Sequence, residues 1–125
     1  MKNKYLGWIA LLIIGLSVYL YRYAIVSNYR ISSELAKQYI QAKQIDLILD
    51  VRTEIERTTL GYYPNSVHIS GAELDKEMPR RFPDKTIRIL AYCNTGHRAR
   101  LAVDKLQTLG YKNARYISST YTSLL

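Results

Sequence analysis

The chain has 125 residues, room for one domain of ordinary size with a short appendage and too few for two. Its formal charge of +8 suggests a nucleic-acid binder, but Lys2, Lys4, Arg22 and Arg30 flank a single uncharged run. The remaining fourteen basic and ten acidic residues form no basic stripe interleaved with aromatics, so DNA or RNA is not an expected partner.

The uncharged run is YLGWIALLIIGLSVYLY, seventeen residues from Tyr5 to Tyr21. As a helix it would be about 26 Å long, and extension to Val26 would bring it to the roughly 30 Å of a bilayer core, with Arg22 snorkelling to the headgroups. Trp8, Tyr5, Tyr19, Tyr21 and Tyr23 fall where interfacial aromatic belts belong. A cleaved signal peptide would carry small residues before its cleavage site, and the YRYAIV that follows has no such pattern. A core helix would show a polar face, and only Ser17 interrupts the run. Residues 1–26 are therefore expected to be an N-terminal transmembrane helix, a single-pass anchor with the lipid bilayer as partner, residues 27–31 a tether, and residues 32–125 the domain.

SSELAKQYIQAKQ opens with a serine cap and Glu34, and Leu35, Ala36, Tyr39 and Ile40 recur at helical spacing. IDLILDV (45–51) is a dense aliphatic run of the kind expected of a parallel strand buried on both faces. SVHIS (66–70), TIRILAYC (86–93) and ARYIS (114–118) read as three more strands. RARLAVDKLQTLG places Ala99, Ala102, Val103, Leu106 and Leu109 on one helix face, with Gly110 as terminator. Strands alternating with helices predict an α/β fold, a small parallel sheet with flanking helices.

The only cysteine, Cys93, stands at the carboxyl end of the third strand, five residues before a helix. In an open parallel sheet that is where ligands collect and backbone amides are unpaired. Asn94, Thr95 and Gly96 are small or turn-tolerant, so their N–H groups can turn inward as an anion nest. The helix N-terminus, Arg98 and His97 add positive field. Such a field favours thiolate over thiol and makes Cys93 a candidate nucleophile rather than a small core residue. A thiol that works this way must stay reduced, which points to the cytoplasmic side. Two scattered histidines and one cysteine give no metal set, so neither a metal nor another cofactor is expected.

CNTGHR resembles the six-residue active-site loop of the rhodanese family, Cys-x-x-x-x-Arg. LILDVRTEIE resembles the family's strand ending in Asp-Val-Arg, GYYPNSVHIS its Gly-His-Ile-Pro-Gly-Ala segment, and LGYKNARYIS the stretch before its last strand. The likeness covers about residues 32 to 119. It implies a rhodanese-like fold and a sulfurtransferase in which Cys93 attacks a small anionic donor such as thiosulfate, holds the sulfur as a persulfide, and passes it to a thiol or protein acceptor. By position, the backbone from Asn94 through Thr95, Gly96 and His97 to Arg98 would steady the bound sulfur, and Arg98 would attract the donor. Asp50 and Arg52 would tie neighbouring loops together. Phosphatases of this fold resemble Cys-x5-Arg, and here the sixth residue after the cysteine is Ala99, which disfavours dephosphorylation.

The chain also departs from the family pattern. Ala99 replaces a common serine, Tyr62 and Tyr63 replace His-Ile, and SSTYTSLL stands where the family has Gly-Gly and a further helix. His68 is read as structural and His97 as a rim residue. The competing reading is a non-catalytic rhodanese-like binding module tethered to a membrane.

Overall fold

The computed structural model describes residues 3–25 and 27–125. In chain order it forms helix α1 (Leu6–Ile25), α2 (Ser33–Gln41), strand β1 (Leu47–Asp50), α3 (Glu54–Leu60), β2 (Val67–His68), a 3₁₀ turn (Gly71–Glu73), α4 (Leu74–Arg81), β3 (Ile89–Tyr92), α5 (His97–Thr108), β4 (Ala114–Tyr116) and a last 3₁₀ turn (Tyr121–Leu124). The four strands make one parallel sheet in the order β2-β1-β3-β4. The α/β architecture expected from the alternation of strand and helix patterns is the one observed.

Alternation along β1 and β3 sorts the core into two layers, because successive side chains on a strand point to opposite faces. Leu47, Leu49, Val51, Ile89, Ala91 and Cys93 pack with Ala99, Ala102, Val103 and Leu106 of α5 and with Leu74 and Met78 of α4. Leu90 and Tyr92 pack on the other face with Ala36 of α2, Ile117 and Leu124. The aliphatic density of these strands follows from burial on both sides.

Local signals explain the helix starts. Ser32 caps α2, its side chain accepting from the Leu35 N–H at 3.1 Å. Thr53 and Glu56 close a reciprocal capping box on α3. That T-x-x-E signal is legible in the sequence, although α3 has no buried side chain and hence no apolar stripe to announce it. Pro79 and a run of charges conceal α4 in the same way.

The N-terminal region differs from its expectation. Among the described residues no helix is long and apolar enough to cross a membrane. Within α1 the uncharged run goes from Leu6 to Tyr21 and is ended by Arg22, and at about 24 Å it falls short of a bilayer core. The transmembrane, single-pass anchor over 1–26 is corrected accordingly; Val26, the last residue of that expected span, lies outside the described residues. Nor is 27–31 a free tether. The Ile31 N–H donates to the Tyr116 carbonyl at 2.9 Å and the Tyr116 N–H to the Tyr29 carbonyl at 3.0 Å, so this segment covers the open edge of β4. Unpaired edge groups need such partners.

The last 3₁₀ turn closes the α2 face of the sheet. Leu124 is 4% exposed against the Leu90, Tyr92 and Ile117 layer, and Ser119 joins Ser33 of α2 at 2.6 Å and Ser123 at 2.8 Å. Leu124→Ala is expected to cost about 2–5 kcal/mol, the range for truncating a buried leucine, measured as a lower denaturation midpoint at unchanged slope.

Candidate active site

Cys93 follows β3 directly and is 1% exposed. The strand ladder fixes it from one side, where the Val51 N–H donates to the Tyr92 carbonyl at 3.2 Å and the Ile117 N–H to the Ala91 carbonyl at 3.3 Å. After Cys93 the chain turns back over the sulfur. Gly96 N–H donates to Sγ at 3.1 Å and Ala99 N–H at 3.4 Å. The sulfur therefore sits where two amide dipoles and the first turn of α5 converge, an arrangement that favours negative charge there.

Glycine is required at the turn. Gly96 has φ of +97°, and a Cβ there would lie 2.7 Å from Cα of Ser118. The loop can close over Cys93 because its backbone presses directly against the segment after β4.

Beneath the loop lies a buried charge cluster. The Asp50 carboxylate accepts from Arg52 backbone N–H at 3.0 Å, from Arg52 Nε at 2.9 Å and Nη2 at 2.8 Å, from Arg57 Nη1 at 3.1 Å and from the Tyr92 hydroxyl at 3.1 Å. Arg52, itself 1% exposed, also donates to the Gly61 carbonyl at 2.6 Å and to Asn94 Oδ1 of the loop at 3.3 Å. Its guanidinium carbon lies 5.3 Å from the Tyr92 ring centroid and 5.7 Å from that of Tyr121. Burial alone would push the Asp50 carboxyl up; hydrogen bonds and charge from Arg52, with Arg57 behind them, outweigh it and hold it below the usual range.

Arg98 does not point free into solvent. Its guanidinium forms a bidentate pair with Glu56, Nη1 to Oε2 at 2.8 Å and Nη2 to Oε1 at 3.2 Å. Hydrogen bonding to Arg98, against the opposing effect of burial, keeps the Glu56 carboxyl below its ordinary value. Among the described residues no group of His, Cys, Asp and Glu is placed to hold a metal ion.

A family model described as a rhodanese-like domain matches residues 32–123. The chain belongs to the rhodanese-like domain family. Among solved structures, this rhodanese-like domain is similar to the human single-domain sulfurtransferase TSTD1 at 21% identity, covering 78% of this chain and 95% of that one with a TM-score of 0.65. It is also similar to a rhodanese-related protein from Thermoplasma volcanium, at 26% identity, 76% and 88% coverage and a TM-score of 0.61. The thiosulfate sulfurtransferase of Pseudomonas aeruginosa aligns at 21% identity over 75% of this chain and 18% of its own, with a TM-score of 0.59. No curated protein matches the chain.

The residues singled out in the sequence fall into three groups in this rhodanese-like domain. Cys93 and Gly96 meet at the sulfur, while Asn94 faces Arg52. Thr95 and His97 are exposed on the loop's outer side. Asp50 and Arg52 lie in the buried cluster, and His68 Nε2 donates to the Arg52 carbonyl at 2.6 Å from β2. Three contributors were not anticipated. The Ala99 amide is a backbone group that residue type does not advertise. Glu56 carried a legible capping signal that gave no hint of its second partner. Arg57 reaches Asp50, Ser66 Oγ and the Ser66 carbonyl only through tertiary folding.

Asp50→Asn removes the carboxylate that faces two arginines, and a loss of about 3–5 kcal/mol at neutral pH is expected. Because the folded carboxyl lies below its unfolded value, this stabilisation is present above about pH 4 and is lost as pH falls through the folded value. Denaturation at pH 7 and pH 3 should show the wild type losing more stability on acidification than the variant.

Proposed function

We propose that this chain is a sulfurtransferase that moves sulfane sulfur from an anionic donor such as thiosulfate to a thiol acceptor through a persulfide on Cys93. The observation that carries this reading is the convergence of the Gly96 and Ala99 amides on Cys93 Sγ at 3.1 and 3.4 Å. In the first step the Cys93 thiolate attacks the outer sulfur of thiosulfate. The new S–S bond forms as the old one breaks, and sulfite leaves with its electron pair. Cys93 then carries –S–S⁻, and the two amides are placed to steady its charge without desolvating an unpaired anion. In the second step an acceptor thiolate attacks the outer sulfur, forms the acceptor persulfide and returns the Cys93 thiolate. Membership of the family and the sulfurtransferases among the similar structures support the same chemistry.

The loop's supporting parts have distinct duties in this reading. Asp50 and Arg52 hold the Asn94 side chain, and with it the loop, from below. The five-residue spacing from Cys93 to Arg98 keeps the nest small, which suits one sulfur atom better than a tetrahedral phosphate.

The decisive measurement is intact mass after incubation with thiosulfate. A gain of one sulfur atom on the parent and none on Cys93→Ser is expected. The near-complete burial of Cys93 favours a second reading, a rhodanese-like module that binds a partner without turnover. An absent adduct would replace the enzyme with that module.

Association with a lipid surface through α1, with the domain on the cytoplasmic side, belongs to the same proposal. Support comes from the exposed apolar side chains of α1, among them Leu11, Leu12, Ile13 and Ile14 at 59–73%, and from the need to keep a lone nucleophilic thiol reduced. The full chain should sediment with phospholipid vesicles, and complete recovery in the supernatant would remove this part of the proposal.

A further inference from the structure

Helix α1 has no buried side chain from Leu6 to Arg22. Ser17, the only serine of that stretch, donates its hydroxyl to the Ile13 carbonyl at 2.8 Å and so needs no partner outside the helix. After α1, Arg30 pairs in parallel with Tyr116, so the chain runs from Ser27 along β4 in the strand's own direction. The chain coming from α1 therefore enters the domain at the amino-terminal end of β4. The Cys93 loop follows β3 at the opposite end of the parallel sheet.

The end of the sheet where the chain enters is basic. Lys43 stands between α2 and β1, where its carbonyl accepts from Arg88 Nη2 at 3.4 Å. Lys85 precedes β3 and lies 4.1 Å from the Tyr111 ring centroid. Arg81 ends α4 beside Phe82, whose carbonyl accepts from the Tyr111 hydroxyl at 2.6 Å. Lys112 precedes β4, and Arg115 turns its guanidinium back to the Lys112 carbonyl at 3.2 Å, 5.5 Å from the Tyr29 ring centroid. Among the described residues none of these five cations has a carboxylate partner. Their neighbours Arg80 and Arg88 are matched by Glu77 and Asp46, and Asp84 accepts from the Thr86 N–H and hydroxyl instead of a cation. At the other end of the sheet Asp50 and Glu56 take up Arg52, Arg57 and Arg98, and Glu54 and Glu73 follow β1 and β2, so no positive excess stands there.

We propose that the amino-terminal end of the sheet is a docking surface for a bilayer rich in anionic phospholipid, with α1 entering the lipid and Lys43, Arg81, Lys85, Lys112 and Arg115 against the headgroups. This docking rests on the association of α1 with lipid proposed above, and adds to it a second contact and an orientation. An apolar helix and a cationic face at the same end of the domain match one partner, apolar within and anionic at its surface. Stable attachment to a membrane takes two signals, and an apolar insert with a polybasic patch is one such combination. The Cys93 loop, at the other end of the sheet, then faces away from the lipid and stays open to solutes.

Sedimentation of the full chain with vesicles of phosphatidylcholine alone, and of phosphatidylcholine with about one-third phosphatidylserine, tests this. Affinity for the anionic vesicles is expected to be roughly tenfold or more higher and to fall as salt is raised. Lys85→Gln combined with Lys112→Gln should weaken binding to the anionic vesicles by roughly tenfold to thirtyfold, about fivefold for each cation, and leave binding to phosphatidylcholine unchanged. The control pair Lys37→Gln with Lys76→Gln removes the same charge from the middle of α2 and the first turn of α4, and should weaken binding by less than about threefold. On anionic vesicles amide hydrogen exchange should slow in segments 83–87 and 110–113 and stay unchanged in 94–98. Equal affinity for the two vesicle types, equal losses for the two variant pairs, or protection of 94–98 in place of the basic end would overturn the docking and leave the association of α1 with lipid standing. Tighter binding to duplex RNA than to anionic vesicles, lost in Lys85→Gln with Lys112→Gln, would overturn it in favour of a nucleic acid. Recovery in the supernatant with every vesicle would remove both the docking and the lipid association.

Discussion

The Asp50 carboxylate, 0% exposed and shared by two arginines, is the interaction on which the arrangement of the site depends. An isolated carboxylate at that depth would be prohibitively costly to desolvate. Here five donors converge on it, and every buried side-chain nitrogen and oxygen among the described residues has a partner. The cluster does more than neutralise itself. Through Arg52 it reaches the Asn94 side chain of the Cys93 loop and the Gly61 carbonyl at the end of α3, and through Arg57 it reaches Ser66 before β2. One buried anion thus ties the end of β1 to the loop after β3 and to the connection from α3 into β2.

The carboxyl-terminal 3₁₀ turn joins this arrangement from the opposite side. Tyr121 stacks near Tyr92 with ring centroids 6.1 Å apart and places its ring 5.7 Å from the Arg52 guanidinium carbon. Its hydroxyl donates to the Leu60 carbonyl at 3.3 Å and sits where a Cβ at Gly61 would be. The positive φ of Gly61 and the absence of its side chain let the tyrosine reach the cluster. The four residues Tyr121–Leu124 thus cover this face, and Ser118 shortly before them backs Gly96 of the loop.

Electrostatics within the site divide into two regions. Below the loop, arginine and aspartate are buried and serve position. At its rim, Glu56 and Arg98 are partly exposed, where an ion pair contributes little to stability but decides which charges an incoming ligand meets. The sulfur of Cys93 lies between these regions, with the Gly96 and Ala99 amides donating to it and the charge of Arg98 acting on it from the rim.

Much of this was legible in the chain itself. The strand cores, the cap of α2, the apolar face of α5 and the position of Cys93 at a strand end follow from periodicity and spacing, which are local properties. The helix α3 had a capping signal without a buried stripe, and α4 was hidden by proline and charge, so neither announced itself by pattern. What local pattern could not supply was pairing at long range. That Glu56 meets Arg98, that Arg57 shares Asp50 with Arg52, that Ser118 leaves room only for glycine at 96, and that Tyr29 to Ile31 cover β4 are consequences of segments tens of residues apart arriving at one place. Residue type and spacing marked Cys93 as a candidate nucleophile and laid out the sheet; only the tertiary structure decided which charges and amides surround that thiol, because those contacts exist only once the chain has closed upon itself.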